Sequence, residues 1–118
     1  MSTRCNICAY IDDKLYCIYC HHDGYPNGVG QILLNYWHDP EEIKKLVTTN
    51  GEISKLANNF NEQEYYEDSR PPKIFNGEHY MNVPWDVEYI YVWRNGKWRV
   101  KDLHFKDLRK VLYDLFSH

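Results

Sequence analysis

The chain has 118 residues, 43% of them hydrophobic, which suits one folded domain and excludes a disordered chain. Its 14 basic residues face 17 acidic ones, and the net charge of −3 removes the positive field behind non-specific nucleic-acid binding. Apolar runs far shorter than a bilayer span indicate no membrane contact. The N-terminus lacks a signal-peptide pattern, which predicts a cytoplasmic location and reduced thiols.

The first two segments predict a β-hairpin. Residues 3–11 and 14–20 are rich in β-branched, aromatic and cysteine residues, and Asp12 and Asp13 form a two-residue turn between them. Side chains then alternate between the two faces of the hairpin. The face predicted to lie against the core carries Cys5, Ile7, Ala9, Ile11, Tyr16, Ile18 and Cys20. The other face carries Arg4, Asn6, Cys8, Tyr10, Cys17, Tyr19 and His21.

Two helices are expected next. Apolar residues at helical spacing predict a helix over about residues 27–37. Asp39 is a typical N-cap and Pro40 a typical first residue, so a second helix begins there and ends at Asn50. The acidic segment 58–73 contains two prolines and predicts a long mobile loop, whose acidic and tyrosine residues could face a basic protein.

Asn95 and Gly96 predict a second hairpin, between residues 86–94 and 97–102, because this dipeptide favours a type I′ turn. Its aromatic face should pack inward. The opposite face would carry the basic residues Arg94, Lys97, Arg99 and Lys101. Apolar residues at helical spacing over 105–116 predict a C-terminal amphipathic helix.

Together these elements predict a single α+β domain over residues 1–118. Its antiparallel sheet is built from the two β-hairpins, with about three helices packed on one face.

The spacing of Cys5, Cys8, Cys17 and Cys20 is that of a zinc site, which requires four thiolates at about 2.3 Å from one ion. An unbroken hairpin places Cys5 and Cys20 on one face and Cys8 and Cys17 on the other, which argues against zinc. We expect buried thiols on the core face, exposed thiols on the other, and no cofactor. A smaller site formed by Cys8, Cys17 and His21 is an alternative.

The densest group of chemically active side chains is formed by Cys20, His21, His22 and Asp23. In the loop that follows, Gly28 and Gly30 could expose backbone amides to phosphate or carboxylate at a helix N-terminus. The predicted ligand-binding residues are His21, His22, Asp23, Tyr25, Gly28, Gly30, Arg94 and Arg99. No catalytic residue is assigned, because consecutive strand residues point apart. An enzymatic alternative would use Cys20 as nucleophile, His21 as acid and base, and Asp23 to orient it.

Three segments resemble a family of small uncharacterised proteins found in phages and bacterial mobile elements. They are Thr3-Arg4-Cys5-Asn6-Ile7, residues 18–30 and residues 89–98, and the second contains the pattern Tyr-Cys-His-x-Asp-Gly-Tyr-Pro-x-Gly-Val-Gly. In that family Ser often replaces Cys5 and Trp often replaces His22, which weakens the zinc interpretation further.

The resemblance implies a non-enzymatic, phage-type accessory protein in the host cytosol. Such a protein would bind a host macromolecule, most simply a host protein, and inhibit or redirect it, as an anti-defence or anti-CRISPR-like factor does. One alternative is a binder, or sponge, for a small phosphorylated or nucleotide ligand, for which aromatic stacking and backbone amides are suited. Another is a small enzyme based on His and Cys. Each of these three functions is compatible with a homo-oligomer.

Overall fold

A computed structural model describes residues 3–76, 87–101 and 106–107 of the chain. In this part of the chain seven strands form one sheet and two α-helices cover it. The strands are β1 (Cys5–Ile11), β2 (Lys14–Cys20), β3 (Glu52–Ile53), β4 (Lys73–Asn76), β5 (Tyr89–Arg94), β6 (Lys97–Lys101) and β7 (Lys106–Asp107). The helices are α1 (Gln31–Tyr36) and α2 (Pro40–Thr49). A π-helical turn, Pro26–Gly30, leads directly into α1, and a 3-10 turn occupies Phe60–Glu62.

The sheet is mixed, so the prediction of an antiparallel sheet is wrong in part. The strand order is β3-β2-β1-β5-β6-β7, and β4 pairs with the first half of β2. Within each hairpin the pairing is antiparallel, but β1 runs parallel to β5, with Cys5 opposite Tyr89, and β2 runs parallel to β3. Parallel neighbours need a long crossover connection, and the helices and the loop that follows them supply it.

Both hairpins have the register that their predicted two-residue turns imply, with Cys5 opposite Cys20 in the first and Trp93 opposite Trp98 in the second. Their turns explain why. Asp12 and Asp13 have φ angles of 52° and 65°, and Asn95 and Gly96 have 53° and 76°. Two consecutive residues with positive φ characterise a type I′ turn, whose twist matches that of the paired strands. The turn therefore fixes which side chains share a face.

The two helices lie where they were predicted. The π-helical turn and α1 together cover the first, and α2 begins at Pro40 after its cap, because the Asp39 side chain accepts a hydrogen bond of 3.0 Å from the Glu41 amide. The third predicted helix, over residues 105–116, lies mostly outside the described residues. Its described residues, Lys106–Asp107, form a strand that pairs with β6, so a helix beginning at Phe105 is not observed there.

The main core lies between the helices and one face of the sheet, here called the helix face. The sheet contributes Cys5, Ile7, Ala9, Ile18, Cys20, Tyr91, Trp98 and Val100, and the helical segment contributes Val29, Leu33, Trp37, Ile43, Leu46 and Val47. Two tryptophan indoles in this core donate hydrogen bonds to backbone carbonyl groups. Trp98 Nε1 donates to the Trp37 carbonyl and Trp37 Nε1 donates to the Ala57 carbonyl, each at 3.0 Å. The aromatic face of the second hairpin is thus buried, as predicted.

A second buried cluster occupies the opposite face of the sheet, and it consists of Cys8, Leu15, Cys17, Ile90 and Val92. Cys8 is 0% exposed and Cys17 is 3% exposed, so the prediction that these two thiols are exposed is wrong. The cause is the parallel pairing of β1 with β5, which places Val92 beside Cys8. Apolar side chains from adjacent strands surround sulfur atoms that would face solvent in an isolated hairpin.

The segment predicted as a long loop, residues 58–73, contains the 3-10 turn and ends at the start of β4. It is hydrogen-bonded to α2 at two points. The Phe60 amide donates to Glu42 Oε1 at 2.8 Å, and the Tyr65 hydroxyl donates to the Leu46 carbonyl at 2.7 Å. No helix in the described ranges combines the length and apolarity needed to cross a membrane.

Candidate functional site

The loop that follows β2 is fixed to the sheet through Gly24. Its amide donates to the Thr3 carbonyl at 2.9 Å, and its carbonyl accepts a hydrogen bond of 2.7 Å from the buried Tyr91 hydroxyl. A Cβ atom at position 24 would lie 2.9 Å from the Cβ of Cys5, which is closer than side chains tolerate. Glycine is therefore needed for this close approach, and the point at which the loop leaves the sheet is rigidly defined.

Asp23 and Tyr25 form a closed local network. Asp23 has a φ of 59°, its carbonyl accepts from the Val29 amide at 2.8 Å, and its carboxylate accepts from the Tyr25 hydroxyl at 3.2 Å. This carboxylate raises the pKa of Tyr25. The Gly28 amide donates to the Tyr25 carbonyl at 2.9 Å.

The predicted binding of phosphate by this loop would require free backbone amides. The amides of Gly28 and Val29 already donate hydrogen bonds to carbonyl groups of the loop, so two of the amides expected to bind an anion are occupied. A Cβ atom at Gly28 would collide with the Asp23 carbonyl, so close packing explains this glycine. Gly30 is buried at the end of the π-helical turn.

The eight predicted ligand-binding residues do not form one site. Arg94 lies at the turn end of β5, with its guanidinium 4.8 Å from the centre of the Tyr10 ring, whereas His21 follows β2 at the other end of the sheet. Arg94 lies level with Leu15 of β2, and His21 is six residues further along that strand, so the two positions are about 20 Å apart along the sheet. Arg99 lies on β6, three strands from β2 and hence about 14 Å across the sheet. The two arginines are thus separated from residues 21–30.

A different group of side chains does come together around Tyr19. Tyr19 and His21 share a face of β2 because they are two residues apart, and a hydrogen bond of 2.8 Å joins the Tyr19 hydroxyl to His21 Nδ1. The His21 and His22 rings meet edge to face, with their centres 4.5 Å apart. Burial raises the pKa of Tyr19, while the neighbouring Arg4 opposes this and the Tyr66 hydroxyl adds to it.

We call Arg4, Tyr19, His21, His22 and Tyr66 the Tyr19 patch. Four of its members are half-buried, and Tyr66 is 41% exposed. Two backbone-linked contacts hold its edges in place. The Arg4 amide donates to a Glu88 carboxylate oxygen at 2.8 Å, and the Tyr66 amide donates to the Glu52 carbonyl at 3.2 Å. The patch is therefore an ordered aromatic surface at the end of β2, in which the Arg4 guanidinium lies 3.8 Å from the Glu88 carboxylate.

The cysteines lie as their register requires, with Cys5 opposite Cys20 on the helix face and Cys8 opposite Cys17 on the other. Thiolates on opposite faces of one hairpin do not surround a single ion. The alternative site that combines Cys17 with His21 fails on distance, because four strand residues separate them by about 13 Å. Among the residues that the structure describes, no group of three or more His, Cys, Asp or Glu side chains is placed to hold a metal ion.

The groups of the enzymatic alternative also lie apart. Cys20 is 0% exposed, and its thiol points to the carbonyls of His22 and Ser54, at 3.4 and 3.8 Å. His21 lies on the opposite side of the strand and contacts Tyr19, and the Asp23 carboxylate is bonded to Tyr25. Nucleophile, base and orienting group are thus each engaged elsewhere.

No family model, curated protein or solved structure matches the chain. Function is therefore inferred from the side chains of the Tyr19 patch.

The sequence-based site included His21 and His22 but missed Arg4, Tyr19 and Tyr66. The spacing of Tyr19 and His21 on a predicted strand was a usable signal, because residues two apart share a face. Tyr66 carries no such signal, since it reaches the patch from the loop after β3.

Proposed function

We propose that this chain is a non-enzymatic binding protein that contacts another protein through the Tyr19 patch. The observation that carries the proposal is the 2.8 Å hydrogen bond between Tyr19 and His21 in a surface group that also contains Arg4 and Tyr66. Tyrosine and arginine are enriched among the residues that contribute most to protein–protein binding. Side chains already held in one arrangement lose less entropy when a partner binds.

The competing functions have less support. A nucleotide binder would use the amides of Gly28 and Val29 and the two arginines, but those amides are occupied and the arginines are distant. A thiol enzyme would need an accessible nucleophile, and each of the four thiols is buried. A binding surface requires neither free amides nor a nucleophile.

The resemblance to phage and mobile-element proteins suggests the class of partner. On that basis the partner is a bacterial host protein, which this chain would inhibit or redirect, as in an anti-defence role. The Tyr19 patch combines aromatic rings with an Arg4 guanidinium that lies 3.8 Å from the Glu88 carboxylate, so the complementary surface would be mainly apolar.

The test is quantitative capture from a bacterial host lysate with three immobilised proteins: the natural chain, Tyr66→Ala and Tyr36→Ala. Tyr36 is the matched control, because it is 52% exposed but belongs to α1 on the helix face. We expect one protein to be retained equally by the natural chain and by Tyr36→Ala. Removing an important interface tyrosine costs about 2 kcal/mol, so Tyr66→Ala should retain it about 30-fold more weakly. Capture that is insensitive to Tyr66→Ala, or no specific capture, would contradict the proposal.

A further inference from the structure

The first hairpin contains two pairs of cysteines, and the two members of each pair lie directly opposite each other on β1 and β2. The two pairs differ in the geometry of the backbone around them. Cys5 faces Cys20 and Cys8 faces Cys17 in the antiparallel register, and the four thiols are free. In such a ladder, hydrogen-bonded and non-hydrogen-bonded residue pairs alternate, and only one of these geometries brings the side chains close together. The two cysteine pairs are separated by three positions, so they occupy different kinds of site.

The backbone hydrogen bonds identify which pair is which. The Tyr19 amide donates to Gly51, away from β1, and the His21 amide likewise donates to Ile53. Every second residue of β2 therefore directs its backbone away from β1, and Cys17 is one of these residues. Cys8 and Cys17 thus form a non-hydrogen-bonded pair, whereas Cys5 and Cys20 form a hydrogen-bonded one.

A disulfide requires Cα atoms about 4.4–6.8 Å apart and Cβ atoms about 3.5–4.5 Å apart. Opposed Cβ atoms in antiparallel sheets are about 4.5–5.5 Å apart, and non-hydrogen-bonded pairs occupy the lower end of that range. Both pairs lie within this Cα range, and the side chains of Cys5 and Cys20 also interact with each other. The Cys8–Cys17 pair needs the smaller approach of its Cβ atoms, so it closes with less movement of the strands. Cys20 has further partners as well, because its thiol donates to the His22 and Ser54 carbonyls.

We propose that Cys8 and Cys17 are a disulfide-forming pair, which closes between β1 and β2 by exchange with a small aliphatic disulfide, while Cys5 and Cys20 remain thiols. One thiolate attacks the small disulfide, forms a mixed disulfide and releases one small thiol. The second thiolate attacks the protein sulfur of that mixed disulfide and releases the other small thiol. The protein loses two protons and two electrons, and the small disulfide gains them and becomes two thiols.

The surroundings of the pair determine how fast it closes. Closure adds no atoms to the packed cluster around Cys8, so the oxidised form needs no extra volume. Cys17 is 3% exposed and Cys8 is 0% exposed, which makes Cys17 the first to react. Burial also raises the pKa of Cys8 well above its usual value. Exchange therefore requires local opening of the cluster, and oxidation should be slow but selective.

The test is incubation of the folded, reduced chain with excess oxidised glutathione, followed by acid quenching, alkylation and tryptic mapping. Trypsin cleaves after Lys14 and separates the two strands, so a linked peptide pair persists only if a disulfide joins them. Fragmentation then assigns the linkage. We expect Cys8–Cys17 to form at least about tenfold faster than Cys5–Cys20 and to reopen with dithiothreitol.

Two matched variants make the test independent of fragmentation. Cys5→Ala/Cys20→Ala should still lose two hydrogen atoms, whereas Cys8→Ala/Cys17→Ala should not. In urea, where the register is absent, the natural chain should lose its selectivity. Equal closure of both pairs in the folded state, mixed disulfides without closure, or retention of all four thiols would overturn the proposal.

Discussion

The hydrogen bond between Tyr91 and Gly24 joins the centre of the sheet to the loop beside the Tyr19 patch, and Tyr91→Phe removes it alone. The bond is 2.7 Å long and buried, and burial raises the pKa of the Tyr91 hydroxyl, which therefore remains a donor. In the variant the Gly24 carbonyl keeps its buried position without this donor. Leaving a buried carbonyl without a partner costs about 1–3 kcal/mol. This is a substantial part of the stability of a small domain, which is about 5–15 kcal/mol.

Urea unfolding followed by tryptophan fluorescence measures this cost. With a slope of about 1–3 kcal/mol per molar urea, a loss of 2 kcal/mol moves the midpoint by about 1 M. Tyr89→Phe is the control, because Tyr89 lies on the same face of β5 and its hydroxyl makes no hydrogen bond to the described residues. A Tyr91→Phe variant as stable as the natural chain, or an equal loss in Tyr89→Phe, would refute the assigned role of this bond.

Three further predictions concern local elements. Asp39→Ala removes the cap that accepts from the Glu41 amide and should destabilise the protein by about 1 kcal/mol, whereas Asp39→Asn should retain most of that stability in urea unfolding. Gly96→Ala should cost about 1–2 kcal/mol at a φ of 76°, although nothing obstructs the added methyl group, and a neutral result would contradict the type I′ assignment. Burial raises the pKa of Tyr65 to about 12, so its contribution to stability is complete below pH 10 and is lost as pH rises towards 12. Because the ring is only half-buried, this contribution is about 1 kcal/mol, and Tyr65→Phe should show a correspondingly flatter decline of stability with pH.

The parts of the fold that the sequence predicts are those encoded by neighbouring residues. Asp12-Asp13 and Asn95-Gly96 set the hairpin registers, because each turn admits two residues with positive φ. Asp39 and Pro40 set the start of α2 in the same local way. The parallel pairing of β1 with β5 has no such signal, since it joins segments more than 80 residues apart.

That missing contact also explains the error about the thiols. Taken alone, the sequence of the first hairpin predicts a sheet with one face in water, which is common for antiparallel sheets. Once β5 lies beside β1, Val92 and Ile90 extend the second face, and Cys8 becomes buried. The Tyr19 patch shows the same difference between local and distant contacts. Local sequence predicts His21 as a site residue, whereas Tyr66 reaches the patch from a distant segment and is not predicted.

The most direct test of the Tyr19 patch as a protein-binding surface is photo-cross-linking in bacterial host cells. A photoreactive phenylalanine analogue is placed at position 66, which is on the patch, and separately at position 36, which is on α1. We expect one covalent adduct with a host protein from position 66 and none from position 36. No adduct from position 66, or the same adduct from both positions, would contradict it.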